Sequence, residues 1–138
     1  RWPAAIPAGG RTDAIVSLAD LVPTALAAAG LDVPADVDGV DQLPVLRGET
    51  DHVRDSAFIE MVDDPETLRL KTIVTADRKL TWYAGQPYGE LYDLAGDPDE
   101  FVNLWDDPTR AGEKADLLRR LLDYVEPYEH RVPRIVYA

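Results

Sequence analysis

Two pairs of aspartates in this 138-residue chain have a spacing that suggests metal binding. Asp63 and Asp64 follow an apolar run at 57–62, so both carboxylates lie at the end of a predicted strand. Such a pair suits calcium, which prefers oxygen ligands. Pro65 follows at once, however, and residues 106–108 repeat the same Asp-Asp-Pro composition. We therefore interpret both pairs as solvated turns and not as a metal site.

A second acidic segment, residues 36–43, has the sequence DVDGVDQL and shares some spacing with an EF-hand loop. If Gly39 is the sixth loop position, the first falls on Pro34 and the twelfth on Val45. Neither residue supplies the carboxylate that calcium needs at those positions. The sequence therefore predicts no metal-binding residue in this chain.

Nucleophiles and general bases are scarce. The chain has no cysteine and two histidines, and its serines are Ser17 and Ser56. The lack of cysteine excludes disulfides, thiolate metal sites and a cysteine nucleophile. We interpret His52 as an exposed loop residue, and we assign no role to His130. The sequence thus predicts neither a catalytic nor a cofactor-binding residue.

Four aromatic residues follow one another closely: Trp82, Tyr83, Tyr88 and Tyr92. They could form an aromatic rim around a substrate. Their places in two predicted strands are equally typical of a half-buried sheet face, and we prefer that interpretation.

The charge balance restricts the partners. The formal net charge is -12 and the sequence pI is about 4.4, which disfavours nucleic acid and anionic membrane surfaces. No apolar run approaches the roughly 20 residues that a membrane-spanning helix needs.

The first part of the chain predicts one prominent helix, at 21–29. Asp20 is the expected N-cap and Gly30 the expected stop. The helix is apolar nearly all round, which is typical of a helix buried on several sides. A short strand is predicted at 15–17 and a turn of helix at 42–46.

From residue 56 onward the pattern changes to strands. The sequence predicts a hairpin that turns about Asp77-Arg78, and an amphipathic helix at 110–125 with Leu121 and Leu122 on its buried side. This gives an α+β fold: a small antiparallel sheet of three to four strands with a packed C-terminal helix. The predicted strands are at 57–62, 68–75, 79–83 and 90–94, with a last short one at 135–137.

Residues 89–104, GELYDLAGDPDEFVNL, combine a strand end, an acidic turn and a return to the core. We expect Asp97 to bond the backbone two residues on and Asn103 to hold the turn with its amide. Phe101 and Leu104 are expected in the core.

This stretch resembles the C-terminal end of the sulfatase family of the alkaline phosphatase superfamily, where the last sheet closes with a GELYDLxxDPxExxNL segment. Four other segments resemble the family in the same order: RWPAAIPAGG (1–10), VSLADLVPTALAAAGLDVP (16–34), DGVDQLPVLRGE (38–49) and LRLKTIVTADRKLTWY (68–83).

The resemblance implies that residues 1–48 end a large α/β domain, to which the 21–29 helix belongs, and that residues 49–138 form a C-terminal subdomain. The family hydrolyses sulfuric esters with a formylglycine made from a C/S-x-P-x-R motif and a metal, usually calcium, both supplied upstream. Neither Ser17 nor Ser56 lies in that motif.

The resemblance therefore implies a C-terminal part that buttresses the catalytic domain and shapes the active-site rim without being catalytic. Its expected partners are the N-terminal catalytic domain and the sulfate ester that the whole enzyme would hydrolyse. We also expect the chain alone to self-associate through residues 15–30. Two alternatives stay open: part of a phosphonate monoester hydrolase or phosphodiesterase of the same superfamily, or a free-standing protein-interaction module.

Overall fold

The computed structural model describes residues 2–64 and 68–129; for residues 64 and 127–129 it describes the backbone alone. The chain divides into two compact units, Arg1–Ala57 and Phe58–Ala138. The strand predicted at 135–137 and His130 lie outside the described residues. Within the described ranges, no helix has both the length and the apolar character needed to cross a membrane.

The first unit is built on a 3-10 turn, Leu18–Asp20, that leads into helix α1, Leu21–Ala28. Gly30 ends α1 with a positive φ of 71°. The Leu31 N–H donates to the Leu26 carbonyl at 3.0 Å, and the Gly30 N–H donates to Ala27 at 3.0 Å. These two bonds form a Schellman motif, which satisfies carbonyls at the helix end. The predicted stop is therefore confirmed.

The predicted start of α1 is wrong in detail. Ser17 caps the 3-10 turn and is not part of a strand, so the strand expected at 15–17 is absent from this described segment. Asp20 has helical angles, φ −75° and ψ −14°, and makes no side-chain bond to the first turn of α1. Its carboxylate turns back and accepts from the Ser17 N–H at 2.9 Å, which completes a capping box. The sequence pattern could not show that a second turn would precede the helix.

Much of the apolar surface near α1 is exposed. Leu18 is 85% exposed, Leu21 63% and Val22 56%, while Pro23 on the same helix is buried. A second short helix, α2, spans Leu43–Leu46, as predicted. The exposed set Leu18, Leu21 and Val22 is called the α1 apolar face below.

The second unit is an α+β sheet-and-helix fold, which confirms the predicted fold class. Its strands are β1 Ser56–Asp64, β2 Leu68–Thr75, β3 Arg78–Tyr83 and β4 Gly89–Asp93. They are arranged in the order β1-β2-β3-β4, so each pairs with its neighbours along the chain. A 3-10 turn, Pro108–Arg110, leads into the long helix α3, Ala111–Glu129.

The β2–β3 hairpin turns one residue earlier than predicted. Val74 pairs with Lys79, which centres the turn on Ala76-Asp77 and not on Asp77-Arg78. Thr75 causes the difference, because its hydroxyl accepts from the Arg78 N–H at 3.0 Å and donates to the Asp77 carboxylate at 3.0 Å. Arg78 is thereby the first residue of β3.

The core is a row of apolar residues in register. Ile73 pairs with Leu80, and Leu80 pairs with Leu91. All three are fully buried and form one cluster with Leu117 and Leu121 of α3. Side chains that alternate along each strand place these three on the same sheet face. The row therefore fixes which face of the sheet receives the helix.

The prediction that Leu122 is buried is wrong, because it is 67% exposed while Leu121 is 3% exposed. Adjacent helical residues differ by roughly 100° around the axis, so one faces the sheet and the next faces solvent.

Replacing these two leucines tests the assigned helix face. Leu121→Ala removes packed methyl groups and should lower the free energy of unfolding by about 2–5 kcal/mol. Leu122→Ala, the matched control on the same helix, should change it by less than about 0.5 kcal/mol. Urea denaturation followed by circular dichroism measures both. Equal losses would show that the buried face is misassigned.

Candidate functional site

The segment after β4 closes the outer edge of the sheet. Asn103 accepts at Oδ1 from the N–H groups of Leu91 and Trp105, each at 3.0 Å, and donates from Nδ2 to the Gly89 carbonyl at 3.0 Å. The Leu104 N–H donates to the Leu91 carbonyl at 2.8 Å. An open edge offers unpaired backbone groups to other chains, and this amide pairs several of them. The predicted role of Asn103 is confirmed.

Two details of this segment differ from expectation. Asp97 accepts from the Val102 N–H at 2.8 Å, so its carboxylate spans a wider turn than the two residues predicted. Phe101 is 83% exposed and does not enter the core, whereas Leu104 packs against it. Glu100, the residue before Phe101, has a positive φ of 58° and pairs with Lys79. This backbone conformation places Phe101 outward.

Gly89 is required by a close packing contact. A Cβ at this position would lie 2.5 Å from the Trp105 ring, which is shorter than any tolerated carbon contact. The ring packs against the core cluster, and the Lys114 ammonium lies 4.5 Å from its centroid, within range of a cation–π interaction. Gly89 and Lys114 therefore both contact the Trp105 ring, which leaves no space for a side chain at residue 89.

The first unit is organised by a buried carboxylate. Asp20 is 1% exposed and accepts from the Ser17 N–H at 2.9 Å, the Val40 N–H at 2.9 Å and Gln42 Nε2 at 2.8 Å. The Arg54 guanidinium completes the set with an ion pair. Burial alone would raise the pKa of Asp20, but these donors together hold it below its ordinary value. We call this set the Asp20 network.

Gly39 allows the loop to approach the Asp20 network. It has a positive φ of 100°, and a Cβ there would lie 2.3 Å from the Ala19 carbonyl oxygen. The segment that shared spacing with a calcium loop therefore serves to bring the Val40 N–H to Asp20. Two further atoms in the network, Gln42 Oε1 and Arg54 Nε, are buried and have no hydrogen-bond partner within the described ranges.

The other acidic candidates do not converge. Asp63 lies exposed on β1. Asp107 accepts from the hydroxyl and the N–H of Thr109 at 2.7 and 2.8 Å. These bonds lower the pKa of Asp107 and cap the turn at Pro108–Arg110. Among the residues that the structure describes, no three acidic, histidine or cysteine side chains gather in a way that could hold a metal ion.

The histidine and the two serines singled out in the sequence lie on different parts of the first unit. His52 is exposed and lies 3.5 Å from the Asp55 carboxylate, and Ser17 serves as a cap. Ser56 is buried at the start of β1. The described contacts therefore give His52 an acidic neighbour and Ser17 a capping role.

The four aromatic residues do not form a single rim. Trp82 packs against the core cluster beside α3. Tyr83 and Tyr88 contact each other, with ring centroids 5.2 Å apart and planes at 48°. The Tyr83 hydroxyl donates to Glu90 at 3.1 Å. Burial and this neighbouring carboxylate raise the pKa of Tyr83.

The Asp20 network is the structural feature that the sequence does not predict. Asp20 was expected to cap α1, and nothing marked Gln42 or Arg54 as its partners. The only available signal was an aspartate followed at a distance by a glycine and an arginine, which is too common to predict a contact.

Removing the charge of Asp20 tests the network. Asp20→Asn leaves the Arg54 guanidinium without its partner, so it should destabilise the first unit by on the order of 3 kcal/mol. Hydrogen exchange at the Val40 amide reports this directly. Asp123→Asn, which breaks the exposed Arg119 pair, is the control and should have little effect. Val40 protection equal to wild type would contradict the assignment.

The same network should respond to acid. The folded pKa of Asp20 lies below its ordinary 3.8, so its stabilising contribution is complete above the unfolded value and is lost as pH falls through the folded value. The stability difference between wild type and Asp20→Asn should therefore shrink below about pH 4. A difference that grows on acidification would show the sign to be wrong.

Comparison with known proteins identifies what this arrangement resembles. The family model described as N-sulphoglucosamine sulphohydrolase, C-terminal, matches residues 1–126. The N-acetylglucosamine-6-O-sulfatase of Bacteroides thetaiotaomicron is 31% identical over 140 residues, which cover 96% of this chain and 25% of that protein.

Solved structures give the same result. A protein in complex with its substrate D-glucosamine-2-N,6-O-disulfate superposes with a TM-score of 0.84 at 30% identity, over 99% of this chain and 29% of that one. The phosphonate monoester hydrolase of Agrobacterium radiobacter gives 0.63 at 30% identity, over 75% and 23%. The chain thus spans about a quarter of the length of these proteins.

Proposed function

The chain belongs to the sulfatase family, whose C-terminal portion it matches, and we propose that it supports the catalytic domain of a sulfuric ester hydrolase and shapes the rim of its active site. The single observation that carries this proposal is the family match over nearly the whole chain. Relatives about four times longer leave room for a separate catalytic domain. The chain itself is proposed to be non-catalytic.

The absence of a suitable nucleophile supports the non-catalytic role. A formylglycine needs a cysteine or serine in a C/S-x-P-x-R motif, and this sequence has no cysteine and no serine in that context. The acidic and histidine side chains of the described residues do not fit a calcium site either. Both groups would belong to the preceding domain of the longer protein, and no catalytic step is assigned to residues of this chain.

The α1 apolar face supports the buttressing role. Its three residues are more than half exposed, and the Asp20 network fixes the adjoining turn in place. Apolar surface of this kind commonly marks an interaction site. We assign residues 1–48 to the end of the large domain and 49–138 to the C-terminal subdomain, with the catalytic domain covering this face.

The substrate is proposed to be a sulfate ester. The relatives include an N-acetylglucosamine-6-O-sulfatase and a protein in complex with a glucosamine disulfate. A phosphonate monoester hydrolase is the second candidate, because one such enzyme is 30% identical to this chain. A free-standing interaction module, which docks a partner through the α1 apolar face, is the third.

Hydrolysis assays separate these functions. The purified chain should not hydrolyse an aryl sulfate with or without calcium, since it has no nucleophile. The longer protein encoded by the same reading frame should hydrolyse it and should contain a C/S-x-P-x-R motif upstream. Preferred turnover of a phosphonate monoester would favour the second candidate, and an upstream sequence without the motif would favour the third.

Sedimentation tests the α1 apolar face. The chain alone should self-associate through residues 15–30, because exposed apolar surface is buried when copies meet. Leu18→Glu with Leu21→Glu should give a monomer at concentrations where wild type associates. Leu122→Glu is the matched control, since this leucine is 67% exposed on α3. A monomeric wild type, or equal effects of both variants, would contradict the proposal.

A further inference from the structure

The connection between β3 and β4 holds two tyrosines in fixed positions. The Ala84 N–H donates to the Arg69 carbonyl at 2.9 Å, which extends the ladder past the end of β3. The Gln86 N–H then donates to the Tyr83 carbonyl at 3.2 Å, and Gly85 takes a positive φ of 77° that suits a tight turn. These bonds fix the backbone next to Tyr83, whose ring contacts that of Tyr88.

The two rings offer aromatic surface to solvent. Tyr88 is 53% exposed, and its centroid lies 5.2 Å from that of Tyr83. Tyr83 itself is half-buried and donates its hydroxyl to Glu90 at 3.1 Å. Backbone and hydroxyl bonds therefore hold Tyr83 in its orientation before any ligand arrives. Preorganisation of this kind lowers the entropic cost of binding.

We propose that Tyr83, Tyr88 and Glu90 form a binding subsite for one sugar ring of a saccharide. The C–H face of a pyranose packs on the exposed Tyr88 ring, as apolar groups do on aromatic side chains. The Glu90 carboxylate has further oxygen lone pairs that can accept hydrogen bonds from sugar hydroxyls.

The charges around this subsite select the kind of sugar. Glu90 is a charged group in direct contact with Tyr83, and the chain carries a net charge of -12. A sulfate group placed here would be repelled. The subsite therefore takes a neutral or amino sugar ring, such as an N-acetylglucosamine unit, at a position away from the ester that is cleaved. The link to a saccharide substrate rests on the proposed function.

A titration of the purified chain with the trisaccharide of N-acetylglucosamine tests this subsite directly. We expect saturable amide shift changes in two-dimensional NMR, centred on Gly85, Tyr88 and Glu90. Tyr88→Ala should weaken binding about ten-fold, because the loss of a stacked ring is worth on the order of a tenfold change in affinity. Tyr88→Phe keeps the ring and should bind within a few-fold of wild type.

Two further variants make the test specific. Phe101→Ala removes an aromatic ring that is 83% exposed elsewhere on the same unit, and it should leave the affinity unchanged. Glu90→Gln should weaken binding of the neutral trisaccharide and strengthen binding of its 6-O-sulfated form, since the repulsive charge is gone. Thermal melts confirm that each variant folds.

Several results would overturn the subsite: no saturable shifts, equal losses for Tyr88→Ala and Phe101→Ala, or a loss for Tyr88→Phe as large as for Tyr88→Ala. The titration needs no hydrolysis, so its failure is distinct from a failure of the proposed function. If the longer protein hydrolyses a sulfate ester while the titration fails, only the subsite is wrong. If the titration succeeds and the longer protein cleaves only phosphonate esters, only the sulfatase proposal is wrong.

Discussion

A carboxylate without contact with solvent must collect its own hydrogen-bond donors, and the first unit is arranged around this requirement. Asp20 draws donors from the turn before α1, from the loop that ends at Val40, from Gln42 and from Arg54. These donors come from distant parts of the sequence, so a single charged group fixes the path of the chain between them. The position of Gly39 follows from the same requirement, because only a residue without a Cβ can bring the Val40 N–H close enough.

The second unit depends on a different kind of constraint. The row Ile73, Leu80 and Leu91 is apolar and buries one sheet face against α3, which is a non-directional interaction. Directional contacts come from two side chains. The Asn103 amide pairs with the backbone of β4, and the Arg78 guanidinium binds Asp93 and Glu113. Hydrophobic burial thus sets which elements meet, and a few charged or amide groups set their register.

Local patterns in the sequence were sufficient for most of the elements. The strand at 68–75, the buried position of Leu121 and the stop at Gly30 are all predicted correctly from the sequence. The errors occurred where a tertiary contact decides the outcome. The hairpin turn moved because Thr75 bonds Arg78, and Asp20 turned away from the α1 N-terminus because Arg54 and Gln42 bind it. Leu122 was misplaced because helical spacing alone does not say where the apolar stripe ends.

The contact between Gly89 and Trp105 also limits how this sequence can change over evolutionary time. Any side chain introduced at residue 89 would overlap the indole, so the indole would have to be lost first. Loss of the indole in turn leaves Lys114 without the ring beneath it. Substitutions at residues 89 and 105 are therefore ordered: a path that begins at the glycine passes through an intermediate in which a side chain overlaps the indole, and a path that begins at the indole does not.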